Sequence, residues 1–148
     1  MYLFRKIIRE LFRKKITKRF INSRNYWEKR YYYGGNSGKG SYAKDAIQKA
    51  NFLNDTMLNY RLNNIIDVGC GDGNNLKIFN SDFYFGIDIS KTVVEKNIST
   101  FQSHKNKKFF FLNNNHSKIL DEINNSIKNR ESLIVSFDVI FHLVEDDV

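Results

Sequence analysis

An apolar run, Ile65-Ile66, leads into Asp67 and Val68 and then into Gly69-Cys70-Gly71-Asp72-Gly73. The pattern reads as a strand that ends in a tight turn with glycine at alternate positions. Glycine tolerates positive φ and brings no Cβ, so the main chain can bend sharply beside a bound molecule. Fifteen residues beyond Gly73, a second apolar run, Phe83-Tyr84-Phe85-Gly86-Ile87, ends in Asp88. An acid roughly 20 positions beyond such a turn is where a nucleoside ribose is gripped in strand–turn–helix folds. Together the two segments point to a cofactor that contains a nucleoside.

Dinucleotide binders place a third glycine where the helix packs closely on the strand, in G-x-G-x-x-G. Here that position is Asn74, and the extra glycine falls one residue early, at Gly73. Asp67, two residues before the first glycine, is awkward beside a pyrophosphate but favourable beside a cation. The run Asp67-Val68-Gly69-Cys70-Gly71-Asp72-Gly73 resembles motif I of the class I S-adenosylmethionine-dependent methyltransferases, whose cofactor carries a sulfonium and an amino group. Gly86-Ile87-Asp88-Ile89-Ser90 resembles the family's second motif. Ser136-Phe137-Asp138-Val139-Ile140-Phe141-His142-Leu143 resembles its fourth-strand segment.

The resemblance covers residues 45–148 and implies an α/β fold with a Rossmann-like, mostly parallel sheet. It implies S-adenosyl-L-methionine as cofactor, with Asp67, Gly69, Cys70, Gly71, Asp72 and Gly73 around it and Asp88 on the ribose hydroxyls. Ile89 follows in the second motif. Asn113, at the end of the third strand, would stand near the adenine, with Asn114 as the alternative. The family often carries an acid at the start of the fourth strand, where this chain has Ser132.

Strand candidates fall at 63–68, 83–88, 108–112 and 133–138 of 148 residues. A complete domain of this class is expected to carry seven strands. The expectation is therefore a fold cut short after the fourth strand, with Leu133, Ile134 and Val135 at an open edge, which is a hazard for aggregation. A partner that supplies the rest, or a shortened fold, are the alternatives. Helices are expected over 43–59, 74–79, 91–99 with Ser90 as N-cap, and around Ile119–Ile127. The alternation of strand and helix gives a parallel α/β sheet.

Charge divides the chain. Residues 1–25 hold nine Lys/Arg and one acid, Glu10, and so carry the whole net charge of +8; the remainder balances fifteen basic against fifteen acidic residues. A neutral catalytic part argues against a broad nucleic-acid groove. Within the basic segment Leu3, Phe4, Ile7, Ile8, Leu11 and Phe12 recur at helical spacing. A basic amphipathic helix of this kind packs on its own domain or a partner, or lies on an anionic membrane surface. RNA binding and a targeting presequence are further alternatives. The apolar runs fall short of the ~18 residues a membrane-spanning helix needs. The expected location is the cytoplasm, with the basic helix as a means of peripheral membrane contact. A single cysteine, Cys70, excludes an internal disulfide.

Residues 26–43 mix aromatics, serines and four glycines. This segment resembles one found in methyltransferases encoded among bacterial surface-polysaccharide genes, with W-x-x-R-Y followed by G-G-x-S-G-x-G-S-Y. The resemblance implies a lid over the cofactor and makes Arg30 a partner for the methionine carboxylate, since a guanidinium forks onto a carboxylate. A plain surface loop is the alternative. The domain organisation expected is thus a basic helix over 1–25, a lid-like segment over 26–43 and the Rossmann-like core over 44–148.

Methyl transfer is a direct displacement, and the protein mainly aligns acceptor, methyl carbon and leaving sulfur. A hydroxyl acceptor also gains from a general base. His142 is the candidate base, with Asp138 one helical turn before it if that stretch is helical. No Cys/His spacing of the zinc type occurs, and no metal-ligating residue is assigned; Glu145, Asp146 and Asp147 read as a solvated acidic end, with a metal site as the alternative. The leading expectation is O-methylation of a small-molecule or glycan acceptor. An RNA or protein methyltransferase anchored by the basic helix is a second reading. A non-catalytic cofactor-binding or partner module is a third.

Overall fold

The computed structural model describes residues 21–128 and 130–139. The basic segment up to residue 20, His142 and the acidic run Glu145–Asp147 lie outside the described residues.

Four strands form one parallel sheet: β1 (Asn64–Val68), β2 (Phe83–Asp88), β3 (Lys107–Phe111) and β4 (Ser132–Val135). Their order is β3-β2-β1-β4. Strands β1, β2 and β3 step outward on one side of β1, and β4 returns to its other side. The gap between β1 and β4 is therefore the point where the chain switches direction across the sheet. Ligands of open α/β sheets bind outside the carboxyl ends of the strands at such a point.

The helices are α1 (Ser23–Tyr32), α2 (Ala43–Tyr60), α3 (Lys91–Thr100) and α4 (His116–Ile127). Alternation along the strands sends Ile65 to one face, where Leu53 and Met57 of α2 and Val93 and Val94 of α3 join Tyr84 and Phe109. Ile66 and Val68 point to the other face, which Ile119, Ile123 and Ile127 of α4 cover together with Phe85 and Ile87. Both faces are buried, as parallel strands require. Ser90 caps α3, its hydroxyl accepting from the Val93 N–H at 3.3 Å.

Three expectations are corrected. Residues 23–32 form a helix instead of joining a basic helix to a loop. Asn22 starts it by accepting the Asn25 N–H on its side chain at 2.8 Å. Asn74–Phe79 is not an α-helix but a 3-10 turn over Asn75–Ile78, so it presents no helix N-terminus to a ligand. Strand β4 ends at Val135, short of the expected 138, and Asp138 has φ 59°, a left-handed value incompatible with an α-helix through that residue. The one-turn relation drawn between Asp138 and His142 runs beyond the described residues.

Candidate functional site

A cavity of about 450 Å³ opens at the carboxyl ends of the strands. This is within the range of small-molecule sites, ~300–1,000 Å³. From β1 come Asp67, Val68 and the bend Gly69–Gly71; from β2, Ile87, Asp88 and Ile89; from β3, Leu112; from beyond β4, Ser136 to Val139. Helix α1 supplies Ser23, Arg24, Trp27 and Tyr31, and the segment after it supplies Ser37 and Ser41.

The bend is fixed by its neighbour strand. Both Gly69 N–H and Cys70 N–H donate to the Ile87 carbonyl, at 2.8 and 3.1 Å. Gly69, Gly71 and Gly73 all have positive φ, at 83°, 56° and 68°. At Gly71 a Cβ would also collide with the Ser37 side chain and the Tyr31 hydroxyl. Beneath the bend, Asn97 of α3 is fully buried and donates its amide to the Gly71 carbonyl at 2.7 Å. Cys70 packs against Gly86, where a Cβ would meet its sulfur at 2.9 Å. Burial and neighbouring carboxylates push its thiol well up, so it stays neutral and serves as a small packing group.

Asp88 closes the loop between the two motifs. Its Oδ2 accepts the Gly71 N–H at 2.9 Å and its Oδ1 accepts the Ser90 N–H at 2.8 Å. Each carboxylate oxygen has a second lone pair, and both strand position and cavity lining leave Asp88 facing the ligand space. Burial raises its pKa, and the backbone N–H groups of Ser90 and Gly71 oppose that rise. Asp67 is 4% exposed and accepts from the Tyr84 hydroxyl at 2.6 Å. Burial pushes its carboxyl up to about 6, against the lowering effect of that bond, and the charge of Asp88 adds to the rise. Two buried acids thus flank a cavity whose lining includes one arginine. The residues present suit a ligand with a hydroxylated ribose and a positive charge; a pyrophosphate would meet repulsion.

Several sequence-predicted residues stand elsewhere. Asp72 and Gly73 lie behind the bend and do not line the cavity. Asp72 instead faces the strap formed by residues 34–42. It accepts the Ser37 N–H at 3.1 Å and the Tyr42 hydroxyl, while its own N–H donates to Ser37 Oγ at 2.8 Å. Burial alone would raise this carboxyl, but those donors outweigh it and hold the pKa low. Asn113 also misses the cavity lining; its N–H donates to the Asn115 side chain at 2.9 Å. Arg30 is turned to the strap, donating to the Asn36 carbonyl at 2.6 Å and to the Tyr26 hydroxyl at 3.1 Å, and its guanidinium lies over the Trp27 ring. It shapes the strap's turn and is spent there, so the carboxylate role drawn for it has no geometric support.

The arginine that does line the cavity is Arg24, which the residue pattern did not single out. It bridges the ends of β2 and β3 by donating to the Ile89 and Leu112 carbonyls at 3.3 and 3.0 Å, and it lies over the Phe111 ring. Trp27 and Tyr31 stack at 5.7 Å and form an aromatic wall. Glu28 fastens α1 to the start of α3 by accepting from the Ser90 and Thr92 hydroxyls. Asp138 lines the cavity, and its carboxylate is paired with Lys49.

The fold has relatives among solved structures. An S-adenosylmethionine-dependent methyltransferase from Anabaena variabilis ATCC 29413 aligns over 79% of this chain and 49% of its own, at 20% identity and a TM-score of 0.51. A magnesium protoporphyrin IX methyltransferase from Synechocystis PCC 6803, solved with bound cofactor, aligns over 96% of this chain and 65% of its own, at 16% identity and a TM-score of 0.45. The chain thus spans about half the length of the Anabaena protein. No protein-family model matches the sequence, and no curated protein matches it. The four-stranded parallel sheet is the Rossmann-like fold of the Anabaena structure.

Proposed function

We propose that the chain is the cofactor-binding part of a nucleoside-dependent transferase. More particularly, it is an S-adenosylmethionine-dependent methyltransferase. The observation that carries this reading is the pairing of buried Asp67 and Asp88 across the Gly69–Gly71 bend, at the switch point of a parallel sheet. Asp88 is suited to hold the ribose, the bend to let the nucleoside approach, and Asp67 to favour a cation over a pyrophosphate. Bound there, S-adenosylmethionine would supply the methyl group and the leaving thioether. The chain's own residues bind it, orient it and exclude water with Trp27, Tyr31 and the strap.

The acceptor is proposed to be a hydroxyl of a small molecule or glycan, which rests on the likeness of residues 26–43 to polysaccharide-cluster methyltransferases. His142 is proposed as the base that takes the hydroxyl proton, on its sequence position alone. The neutral balance of charge beyond residue 25 favours this over an RNA acceptor. Contact of residues 1–25 with a membrane surface, in the cytoplasm, belongs to the same proposal.

A ligand panel read by thermal unfolding tests the cofactor. S-adenosylmethionine is expected to raise Tm while NAD leaves it unchanged, and the reverse would overturn the assignment. Transfer of a labelled methyl group into hydroxyl-bearing sugars but not into RNA tests the acceptor.

A further inference from the structure

Lys49 of α2 reaches two segments that are far apart in the chain. Its ammonium donates to the Gly40 carbonyl of the strap at 2.8 Å and to the Asp138 carboxylate beyond β4. It also lies 5.8 Å from the centroid of the Phe137 ring. The side chain is only 19% exposed, so the charge is partly withdrawn from water and depends on these partners. Asp138 approaches the strap where Gly40 has no Cβ; a side chain there would run into its carboxylate. The left-handed backbone of Asp138 costs on the order of 1 kcal/mol or more for a non-glycine residue, and it brings the carboxylate onto Lys49. The next residue, Val139, packs on Gly69 of the bend so closely that a Cβ there would clash.

We propose that Lys49 is a positioning residue: it locks the strap to the loop after β4, so that Phe137 and Asp138 stand as a fixed wall of the cavity and Asp138 is held as a structural anion. This rests on the cofactor reading above for the identity of the ligand. Lys49 itself does not line the cavity. Asp67 feels its charge, so the same ammonium also favours the ionised form of the buried acid at the end of β1.

The test compares wild type with Lys49→Met, Lys49→Arg and Asp138→Asn. The readouts are calorimetric titration with S-adenosylhomocysteine and amide hydrogen exchange. Lys49→Met and Asp138→Asn are each expected to weaken binding five- to twentyfold. They are also expected to speed exchange at Ser41 and Tyr42 about tenfold while leaving the amides of β1 and β2 unchanged. Lys49→Arg is expected to restore affinity to within threefold of wild type. Folded Lys49→Met with unchanged affinity and unchanged strap exchange would overturn the proposal. Should Lys49→Met not fold, Asp138→Asn decides alone on the same two readouts. Wild type that binds no S-adenosylhomocysteine refutes the cofactor reading instead; strap exchange unchanged in both variants still refutes the lock.

Discussion

Asp88 at the end of β2 accepts the backbone N–H of Gly71 in the bend after β1, at 2.9 Å. The acid that faces the ligand space therefore also sets the shape of the bend. Asp88→Ala should remove both effects. A buried N–H left without its acceptor costs about 1–3 kcal/mol, so Tm should fall and Gly71 exchange should quicken. Affinity for S-adenosylhomocysteine should drop at least about tenfold, or ~1.4 kcal/mol. Unchanged affinity in calorimetry would refute the ribose role.

The raised pKa of Asp67 gives a pH dependence with a definite sign. Its value rises from 3.8 in the unfolded chain to about 6 in the fold. Between these values the folded state holds the proton more tightly, so this group's contribution is fully present below about pH 4 and is lost as pH climbs through 6. Asp67→Asn should therefore gain stability relative to wild type at pH 7 to 8 and little at pH 4. The same variant should lose preference for S-adenosylmethionine over its uncharged-sulfur product. Denaturant midpoints across pH and paired titrations with the two ligands measure both effects. A variant less stable at pH 7 with an unaltered ligand ratio would contradict the account.

The strap is fastened to the bend by Asp72, which binds Ser37 reciprocally and takes the Tyr42 hydroxyl. Charge-assisted hydrogen bonds of this kind are worth about 1.5–3 kcal/mol each, partly repaid by water when broken. Asp72→Ala should speed dissociation of bound S-adenosylhomocysteine about tenfold, with a smaller effect on association. Trp27 is the single tryptophan and lines the cavity, so stopped-flow fluorescence reads both rates. Equal dissociation rates would show that the strap does not retain ligand.

Gly71→Ala and Gly73→Ala should separate backbone strain from strap displacement. Both sites have positive φ, and each substitution should cost roughly 1–3 kcal/mol of stability. Only at Gly71 would the new methyl meet Ser37 and Tyr31; at Gly73 it meets Phe101 and Asn97. Hydrogen exchange at Ser37 should therefore quicken in the first variant alone.

The sheet was legible because its determinants are local. Each strand carries a short apolar stretch, and the bend announces itself by glycines that its φ angles require. The pair Asp67 and Asp88 was legible for the same reason, since Asp88 ends β2 and Asp67 stands one residue before the end of β1. Helix α1 was not. Its faces are not sorted by polarity, so Tyr31 is 8% exposed and its neighbour Tyr32 is 71% exposed without an apolar stripe to mark the helix. The cap at Asn22 was the available signal. Arg30 and Arg24 illustrate a second limit. The guanidinium–carboxylate preference is sound chemistry, but which arginine faces the cavity depends on helix rotation, and α1 turns Arg24 inward and Arg30 toward Asn36. Lys49 was hidden for a third reason: its partners lie 9 and 89 residues away along the chain, and no local pattern encodes such a meeting.

Calorimetric titration of the folded chain with S-adenosylhomocysteine tests the central claim most directly. The account predicts one-to-one binding with a Kd in the micromolar range, about −8 kcal/mol, and loss of most of that affinity in Asp88→Ala. A sample with native circular dichroism that gives no binding heat at any of several temperatures would contradict it.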